Sequence, residues 1–394
     1  MKLAELIIEK CERSRSDWRE GKIGNRSLRI QQKDLDSYGK RNLLQQAEYL
    51  ERIGLIRCKW ILDKSDIAAV QFSLEDLSKI YEIIGRIPKN DYLKNRKSIL
   101  ETHITKLRKQ WIKAYYCDLL NKLEAGKVAD EIDNENIELN LNCFLGIDKL
   151  DYPVYKRIFS KQYLDDSKLF EKKMQITVIA AAKKFNDAID DSMSSKEILN
   201  QINLDDYSSE MSLKGNLKLK INDLEIDLSL FPYGAILNSD TLKIVTVPSG
   251  QRIRKIITIE NKANYIMYPY EADTLVIFSH GYFSPYEKNV LEKLVLSLNE
   301  SEVEYYHSGD LDYGGIQIFE YIKRIMPKLK PLQMNIETWG MFNKYGYIIE
   351  ESKRKKLKSI INNGKITDPD IKKLALVIYE TGIGIEQESF LFTD

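Results

Sequence analysis

The spacing of apolar residues changes within the N-terminal part of the chain. Leu43, Ala47 and Leu50 recur at helical spacing, which predicts a helix with one buried face. After this helix, apolar and polar residues alternate on both sides of the turn sequence DKSD, as expected of two strands joined in a hairpin. The apolar positions of the hairpin are Ile56, Cys58, Trp60, Leu62, Ala68, Val70 and Phe72.

This helix and hairpin give residues 1–90 the outline of a winged helix. Arg57 and Lys59 fall on the polar face of the first strand, where they would form a basic surface for DNA. A small α/β unit that packs without touching nucleic acid fits the pattern equally well, and winged helices also serve as protein-binding modules. At the level of sequence, both interpretations of this region stay open.

A basic stretch predicts a helical arm or linker over residues 91–135. Residues 91–128 have the pattern of one long polar helix and include Arg108 and Lys109 in a run of basic residues. Such a run is usually a solvated helix face, although the interleaved Trp111 leaves a nucleic-acid or partner surface open. The acidic stretch AGKVADEIDNENIELN that follows lacks apolar periodicity, which is typical of a linker or loop.

The middle of the chain, residues 136–250, predicts a second α+β domain. A helix is expected over residues 174–185, and strands are expected in LKLKINDLEIDLSL and in LKIVTV. This order of helix before strands suggests another winged-helix module, similar to that of the CAP protein. Pro248 and Gly250 mark the clearest boundary in the sequence.

From residue 251 to residue 394 the pattern alternates between short apolar strands and helices. The strands lie in KIITIE, ADTLVIF and EVEYYHS, and such alternation favours a parallel sheet flanked by helices, an α/β domain. Glu260 follows the first strand, and Asp310 and Asp312 follow the third. Functional groups collect at the carboxyl ends of parallel strands, so we expect these three carboxylates to meet at one sheet edge.

Three carboxylates in one place are unfavourable unless a cation neutralises them, and oxygen ligands suit Mg²⁺ or Mn²⁺. Gly314 and Gly315, which follow in GDLDYGG, would let the backbone approach a ligand closely. A simpler interpretation is that Asp312 is a helix N-cap, Asp310 a turn residue and Glu260 a solvent-exposed group at the end of a strand. A calcium-binding EF-hand is excluded because Tyr321 stands where its glutamate ligand should be.

Composition removes several other classes of site. The chain has 3 histidines, and its 4 cysteines never form a CxxC pair, which argues against zinc sites and disulfide frameworks. No apolar run reaches the roughly 18 residues of a membrane span, and the N-terminal stretch lacks the features of a secretory signal. We therefore expect a cytoplasmic protein. The net charge of +1 neither supports nor excludes binding to DNA.

The order of Glu260 before the DxD pair Asp310 and Asp312 resembles the Toprim fold of topoisomerases, primases and nucleases. The motifs ENKANY, SHGYFSP, HSGDLDYGG, GIGIEQESF and FSKQYLDDSKLFE resemble more specifically the JetD family of Wadjet plasmid-defence subunits, relatives of the topoisomerase VI A subunit. The resemblance is strong over residues 150–394. It implies that Asp310 and Asp312 hold Mg²⁺, that Glu260 serves acid/base chemistry, and that Glu386 or Glu388 joins the metal site.

The resemblance further implies a dimeric endonuclease that cuts closed circular double-stranded DNA, acting against plasmids or phage. The DNA would be delivered by a condensin-like SMC motor with its kleisin and accessory subunits. Cleavage would be hydrolytic, because JetD-like proteins lack the attacking tyrosine of the topoisomerases. A topoisomerase-like transesterase and a non-catalytic Toprim adaptor that binds DNA remain the alternatives. The basic strip SKRKKLKS, with Lys353, Arg354 and Lys355, is a further candidate for DNA contact, although a solvated helix face explains it as well.

Overall fold

The computed structural model describes residues 1–61, 64–133, 135–298 and 303–392. The chain forms two compact units, residues 1–141 and residues 142–394. The first contains α1 (Lys2–Arg13), β1 (Asn25–Arg29), α2 (Gln32–Tyr38), α3 (Lys40–Arg52), β2 (Ile56–Ile61), β3 (Asp66–Ser73), α4 (Leu77–Ile84), α5 (Lys89–Ile104) and α6 (Gln110–Glu124), and the unit boundary falls within α7 (Ile137–Asp148).

The second unit carries the remaining helices and strands in close succession. They are β4 (Val154–Tyr155), α8 (Lys156–Leu164), α9 (Gln175–Phe185), α10 (Ser195–Gln201), β5 (Leu204–Asp205), β6 (Glu210–Gly215), β7 (Lys218–Ile221), β8 (Leu224–Asp227), β9 (Ala235–Asn238), α11 (Ser239–Ile244), β10 (Lys255–Ile259), α12 (Lys262–Met267), β11 (Thr274–Phe278), α13 (Pro285–Ser297), β12 (Glu304–Ser308), α14 (Tyr313–Ile325), β13 (Leu329–Pro331), α15 (Ile336–Phe342), β14 (Tyr347–Ile348), α16 (Glu351–Asn362), α17 (Pro369–Thr381) and β15 (Ile383–Gly384).

The N-terminal unit contains a three-stranded antiparallel sheet in the order β1-β3-β2. The predicted hairpin is confirmed as β2 and β3, and Leu43, Ala47 and Leu50 are buried on α3 as expected. The helix and the hairpin are tied together by Glu51, whose carboxylate accepts from the Cys58 amide at 2.7 Å and the Trp60 indole at 3.0 Å. Leu62, predicted on the same face, lies outside the described residues.

The single long helix expected over residues 91–128 is wrong, because α5 ends at Ile104 and α6 begins at Gln110. The break places Leu107 in the interior, where it is 4% exposed. β-branched residues precede the break, and they hold a helix less well than straight-chain residues do. The charge run alone could not reveal this turn, since charged residues are compatible with both a helix and a loop.

A six-stranded sheet forms the centre of the second unit, in the order β13-β12-β10-β11-β6-β9. Strands β10 to β13 run parallel to one another, as expected, whereas β6 pairs antiparallel with β11 and β9 pairs antiparallel with β6. The inner strands β10 and β11 are almost wholly buried, which accounts for their unbroken apolar sequences. The parallel sheet therefore has an antiparallel extension that the alternating pattern did not predict.

The buried Lys214 on β6 joins this extension to α12. Its ammonium donates to the carbonyl oxygens of Tyr265, Ile266 and Tyr268 at 2.9, 3.1 and 2.7 Å. These carbonyls end α12, where a cation is favourable because the last carbonyls of a helix have no partner within it. Burial lowers the pKa of Lys214, and the three hydrogen bonds offset the cost of placing an amine there.

The middle segment differs from expectation at one strand. The helix over residues 174–185 is confirmed as α9, and the stretch LKLKINDLEIDLSL forms the hairpin of β7 and β8. The strand expected in LKIVTV is wrong, because the first residues of this stretch form the end of α11. Asn238 is the N-cap of this helix, and its side chain accepts from the Thr241 amide at 2.9 Å. The central sheet draws strands from both sides of residue 250, and the four-part domain division stays a prediction.

Within the described ranges, no helix has the length and apolar character needed to span a membrane.

Candidate functional site

The carboxyl ends of β10 and β12 bring Glu260 next to Asp310. The two strands are parallel neighbours with Ile259 opposite Ser308, and the Glu260 amide continues the pairing by donating to the Ser308 carbonyl at 3.0 Å. Two residues after Ser308, the Asp310 amide donates to Glu260 Oε2 at 3.2 Å. Two residues 50 positions apart in sequence are thus hydrogen-bonded because adjacent strands end at the same edge.

Asp312 lies at the start of α14, where it is 6% exposed. Its Oδ1 accepts from the Gly315 amide at 2.9 Å, so Asp312 is the helix N-cap that the simpler interpretation proposed. Its Oδ2 accepts from the Tyr347 hydroxyl at 2.9 Å and lies 3.9 Å from Lys353 Nζ. A side chain on Gly315 would collide with the Asp310 carbonyl, which explains the glycine at this point.

The C-terminal segment joins this edge through two backbone hydrogen bonds. The Leu311 amide donates to the Ile385 carbonyl at 2.9 Å, and the Ile385 amide returns the bond at 3.1 Å. This pairing places the next residues, the sequence EQE, beside the DxD pair. Glu386 and Glu388 are exposed, whereas Gln387 between them is 1% exposed.

Gln387 is the residue that the sequence did not single out. Its amide N–H donates to Asp310 Oδ1 at 2.8 Å, and its side chain accepts from the Asn261 amide at 3.0 Å and donates to Ser308 Oγ at 2.7 Å. Asn264 Nδ2 also donates to its carbonyl at 3.0 Å. One buried side chain thereby connects the ends of β10 and β12 to the C-terminal segment. The signal available in sequence was only a neutral residue between two glutamates.

Charge repulsion and burial act together on the carboxyl groups. Burial raises the pKa of Glu260 above its usual range, and the charge of Asp310 raises it further. The pKa of Asp310 is also raised, by burial first and then by the charges of Asp312, Glu388 and Glu386, although the hydrogen bond from the Gln387 amide opposes this. The ionised forms of both groups are therefore disfavoured in the protein alone.

The donor set fits a hard divalent cation in its chemistry. Carboxylate oxygens are the ligands that Mg²⁺ and Mn²⁺ prefer, and a cation would relieve the repulsion that raises both pKa values. Across residues 1–61, 64–133, 135–298 and 303–392, no three His, Cys, Asp or Glu side chains stand in positions that hold a metal ion. The fit is thus one of charge and donor type, and binding would require the side chains of the cluster to rotate.

The basic residues predicted to touch DNA lie in different settings. On α16, Lys353 lies beside Asp312, Lys355 is exposed, and Arg354 donates to the carbonyls of Tyr379 and Glu380 at 2.7 and 2.9 Å. Arg354 thus binds the last turn of α17. In the N-terminal unit, Arg57 and Lys59 are exposed on β2, and Arg108 and Lys109 lie in the turn between α5 and α6.

Two tyrosines lie at the carboxylate cluster. The Tyr347 hydroxyl donates to Asp312, and the Tyr313 hydroxyl donates to Asp191. Burial and these carboxylates raise the pKa of both phenols well above the usual range. A phenol that donates to a carboxylate holds its proton firmly, so neither hydroxyl is activated as a nucleophile in this arrangement.

Comparisons with known proteins identify relatives of the chain. Residues 226–393 match the family model described as "Wadjet protein JetD, C-terminal". A curated protein of Bacillus cereus (strain Q1), "Wadjet protein JetD", is 29% identical over 324 residues, which cover 80% of this chain and 77% of the relative. The resemblance drawn from the sequence motifs is confirmed.

Proposed function

We propose that this protein is a metal-dependent DNA endonuclease of a Wadjet-type defence system. The premise is that residues 226–393 match the JetD C-terminal family and that the chain is a relative of Wadjet protein JetD. The observation that carries the proposal is the meeting of Glu260, Asp310 and Asp312 at one edge of the central sheet. A partly buried carboxylate cluster in a cleaving enzyme would bind a divalent metal and act on a phosphate.

In this proposal Asp310 and Asp312 hold Mg²⁺ or Mn²⁺, and Glu260 shares the metal or assists proton transfer. When bound, the metal would stabilise the charge that develops on the scissile phosphate and activate the attacking water. Glu386 or Glu388 would join from the C-terminal segment, since both charges already act on Asp310. The raised pKa of Glu260 keeps a proton available there until a cation arrives.

The folds expected from sequence belong to the same proposal. Residues 251–394 would be the Toprim domain, since they supply the parallel strands and all three carboxylates. Residues 1–90 would be a winged helix, which the strand order β1-β3-β2 and the helices that precede β1 and β2 support. The middle segment would be the CAP-like module. Exposed Arg57 and Lys59 on β2 would then contact DNA phosphates.

The name of the relative supports a place in a multi-subunit defence complex. We infer that the substrate is circular double-stranded DNA of a plasmid or phage in the cytoplasm, and that a homodimer receives it from a condensin-like SMC motor with kleisin and accessory subunits. A topoisomerase-like transesterase is the second candidate. Hydrolysis is favoured over it because the Tyr347 hydroxyl donates a hydrogen bond to Asp312 and keeps its proton, so this tyrosine is not activated for attack.

Cleavage of supercoiled plasmid tests the proposal. The purified chain is incubated with Mg²⁺ or Mn²⁺ beside Asp310→Ala and beside Asp370→Ala, which removes an exposed carboxylate paired with Lys373 on α17. We expect metal-dependent cutting that Asp310→Ala abolishes and Asp370→Ala leaves intact, with DNA ends free of protein. Ends that carry covalently attached protein would establish the transesterase instead.

Binding of Mn²⁺, measured by calorimetry, supplies a second readout for the case in which the isolated chain cuts DNA only together with its partner subunits. We expect Asp310→Ala to abolish the binding heat and Asp370→Ala to preserve it. Equal metal binding by the wild type and by Asp310→Ala would show that the DxD pair has only its capping and turn roles.

A further inference from the structure

The motif SHGYFSP places a histidine at the same sheet edge as the carboxylates. Strand β11 lies beside β10 with Phe278 opposite Ile259, and the Ser279 amide continues the pairing by donating to the Ile259 carbonyl at 2.9 Å. His280 therefore leaves the sheet one strand away from Glu260. Adjacent strands lie about 4.8 Å apart, so the edge presents aspartates, a glutamate and an imidazole in sequence across three strands.

A buried carboxylate holds the ring of His280. Its Nε2 lies 2.9 Å from Oε1 of Glu287, whose side chain is 0% exposed, whereas the His280 side chain is 29% exposed. The other oxygen of Glu287 accepts from the Ser284 amide at 2.7 Å and fixes the carboxylate at the start of α13. Phe278 and Phe283 lie with ring centroids 5.8 and 6.3 Å from the imidazole, so the ring is held on several sides.

The backbone at this turn is equally constrained. His280 has φ of 45° and Gly281 has φ of 107°, and a non-glycine residue in the left-handed region costs about 1–2 kcal/mol. The turn is held by Glu197, whose Oε1 accepts from the Tyr282 amide at 3.0 Å. Strained backbone that the surroundings maintain is common at functional sites. The result is an imidazole with one paired nitrogen, Nε2, and one nitrogen, Nδ1, for which no partner appears among the residues that the structure describes.

We propose that His280, oriented by Glu287, binds a phosphate of the DNA backbone next to the carboxylate cluster. The inference rests on the proposed function, because it assigns a role in substrate binding to the same sheet edge. A phosphodiester that approaches Glu260 and Asp310 meets negative charge, and a cation one strand away offsets this repulsion. An imidazolium with Nε2–H directed to Glu287 presents Nδ1–H as a charge-assisted donor to a phosphate oxygen.

The charges around His280 favour the imidazolium. Burial lowers the pKa of His280, but the hydrogen bond and charge of Glu287 and the charge of Glu197 outweigh burial and the opposing charge of Lys196, so that the net pKa is raised. The other histidine of this unit, His307, behaves in the opposite way. His307 is 0% exposed, and burial lowers its pKa to about 3, so it stays neutral.

Affinity for a short DNA duplex, measured by fluorescence anisotropy in EDTA over a series of salt concentrations and pH values, tests the inference. His280→Asn removes the cation but keeps a residue that tolerates a positive φ, and Lys288→Gln removes one exposed cation of α13 as the matched control. We expect His280→Asn to weaken binding about tenfold below the histidine pKa. The slope of log affinity against log salt should fall by about 0.9, the value for one phosphate contact, and Lys288→Gln should retain the wild-type slope.

The pH series separates phosphate binding from a purely structural role. Wild-type affinity should fall as the pH rises through the pKa of His280, His280→Asn should lack this step, and Glu287→Gln should move the step to lower pH. Wild-type affinity that shows no step with pH would overturn this inference but not the proposed function. The same holds for a folded His280→Asn variant whose slope of log affinity against log salt equals that of the wild type. A wild type that does not bind DNA at any salt concentration would overturn the proposed function as well.

Discussion

Replacing Gln387 by leucine should destabilise the second unit by about 2–5 kcal/mol. Leucine has a similar size but leaves the Asn261 amide and Ser308 Oγ without the partners that now lie at 3.0 and 2.7 Å. Each buried polar group that loses its partner costs about 1–3 kcal/mol, and the site cannot admit water readily because Gln387 is 1% exposed. The exposed Glu388 offers a matched control, since Glu388→Gln changes no buried group and should alter stability by less than about 0.5 kcal/mol.

Calorimetry of the full chain measures the loss of stability, and hydrogen exchange followed by mass spectrometry locates it. Peptides that contain Asn261 should exchange faster in the leucine variant, whereas peptides of the N-terminal unit should not change. Unfolding within about 0.5 kcal/mol of the wild type, together with unchanged exchange at Asn261, would refute the view that this side chain connects β10, β12 and the C-terminal segment.

Three further perturbations test other parts of the molecule. The pKa of Glu260 is raised in the folded state, so its stabilising contribution is present below its unfolded value of 4.5 and is lost as the pH rises through the folded value of about 8. Glu260→Gln should therefore stabilise the metal-free chain more at pH 8 than at pH 5. A difference in urea midpoint between variant and wild type that is the same at both pH values would contradict this. Lys214→Met should cost about 2–4 kcal/mol because three carbonyls lose a charged donor, and a variant as stable as the wild type in calorimetry would exclude the capping role. Arg57→Glu combined with Lys59→Glu should lower the salt slope of DNA affinity by about 1.8, or 0.9 for each phosphate; an unchanged slope would place the DNA elsewhere.

Sequence predicted the central feature of the candidate site because its geometry follows from the order of strands. Glu260 and Asp310 each follow a buried apolar strand, and parallel neighbours end at one edge, so the residues meet despite their separation. The pairing of Gln387 with this edge had no comparable signal. Its contacts depend on where the last segment of the chain docks, and no periodicity in the sequence records that position.

The errors in the predicted elements have a similar origin. The stretch LKIVTV has strand-like composition, but the N-cap Asn238 begins a helix just before it, and capping decided the local structure. The predicted helix over residues 91–128 breaks so that Leu107 is buried. In both cases a local hydrogen bond or a tertiary contact outweighed a weak propensity.

The antiparallel extension of the sheet limits how this protein can be divided for study. A fragment that starts at residue 251 would contain all three carboxylates but would lose β6 and β9, which cover the side of β11 away from β10. The family match itself begins at residue 226, within β8 and after β6. Strand β11, with the sequence TLVIF, would then become an open apolar edge, the kind of template on which chains aggregate. Failure of such a fragment to cut DNA would report misassembly rather than chemistry, so fragments meant to retain the site should begin before Glu210.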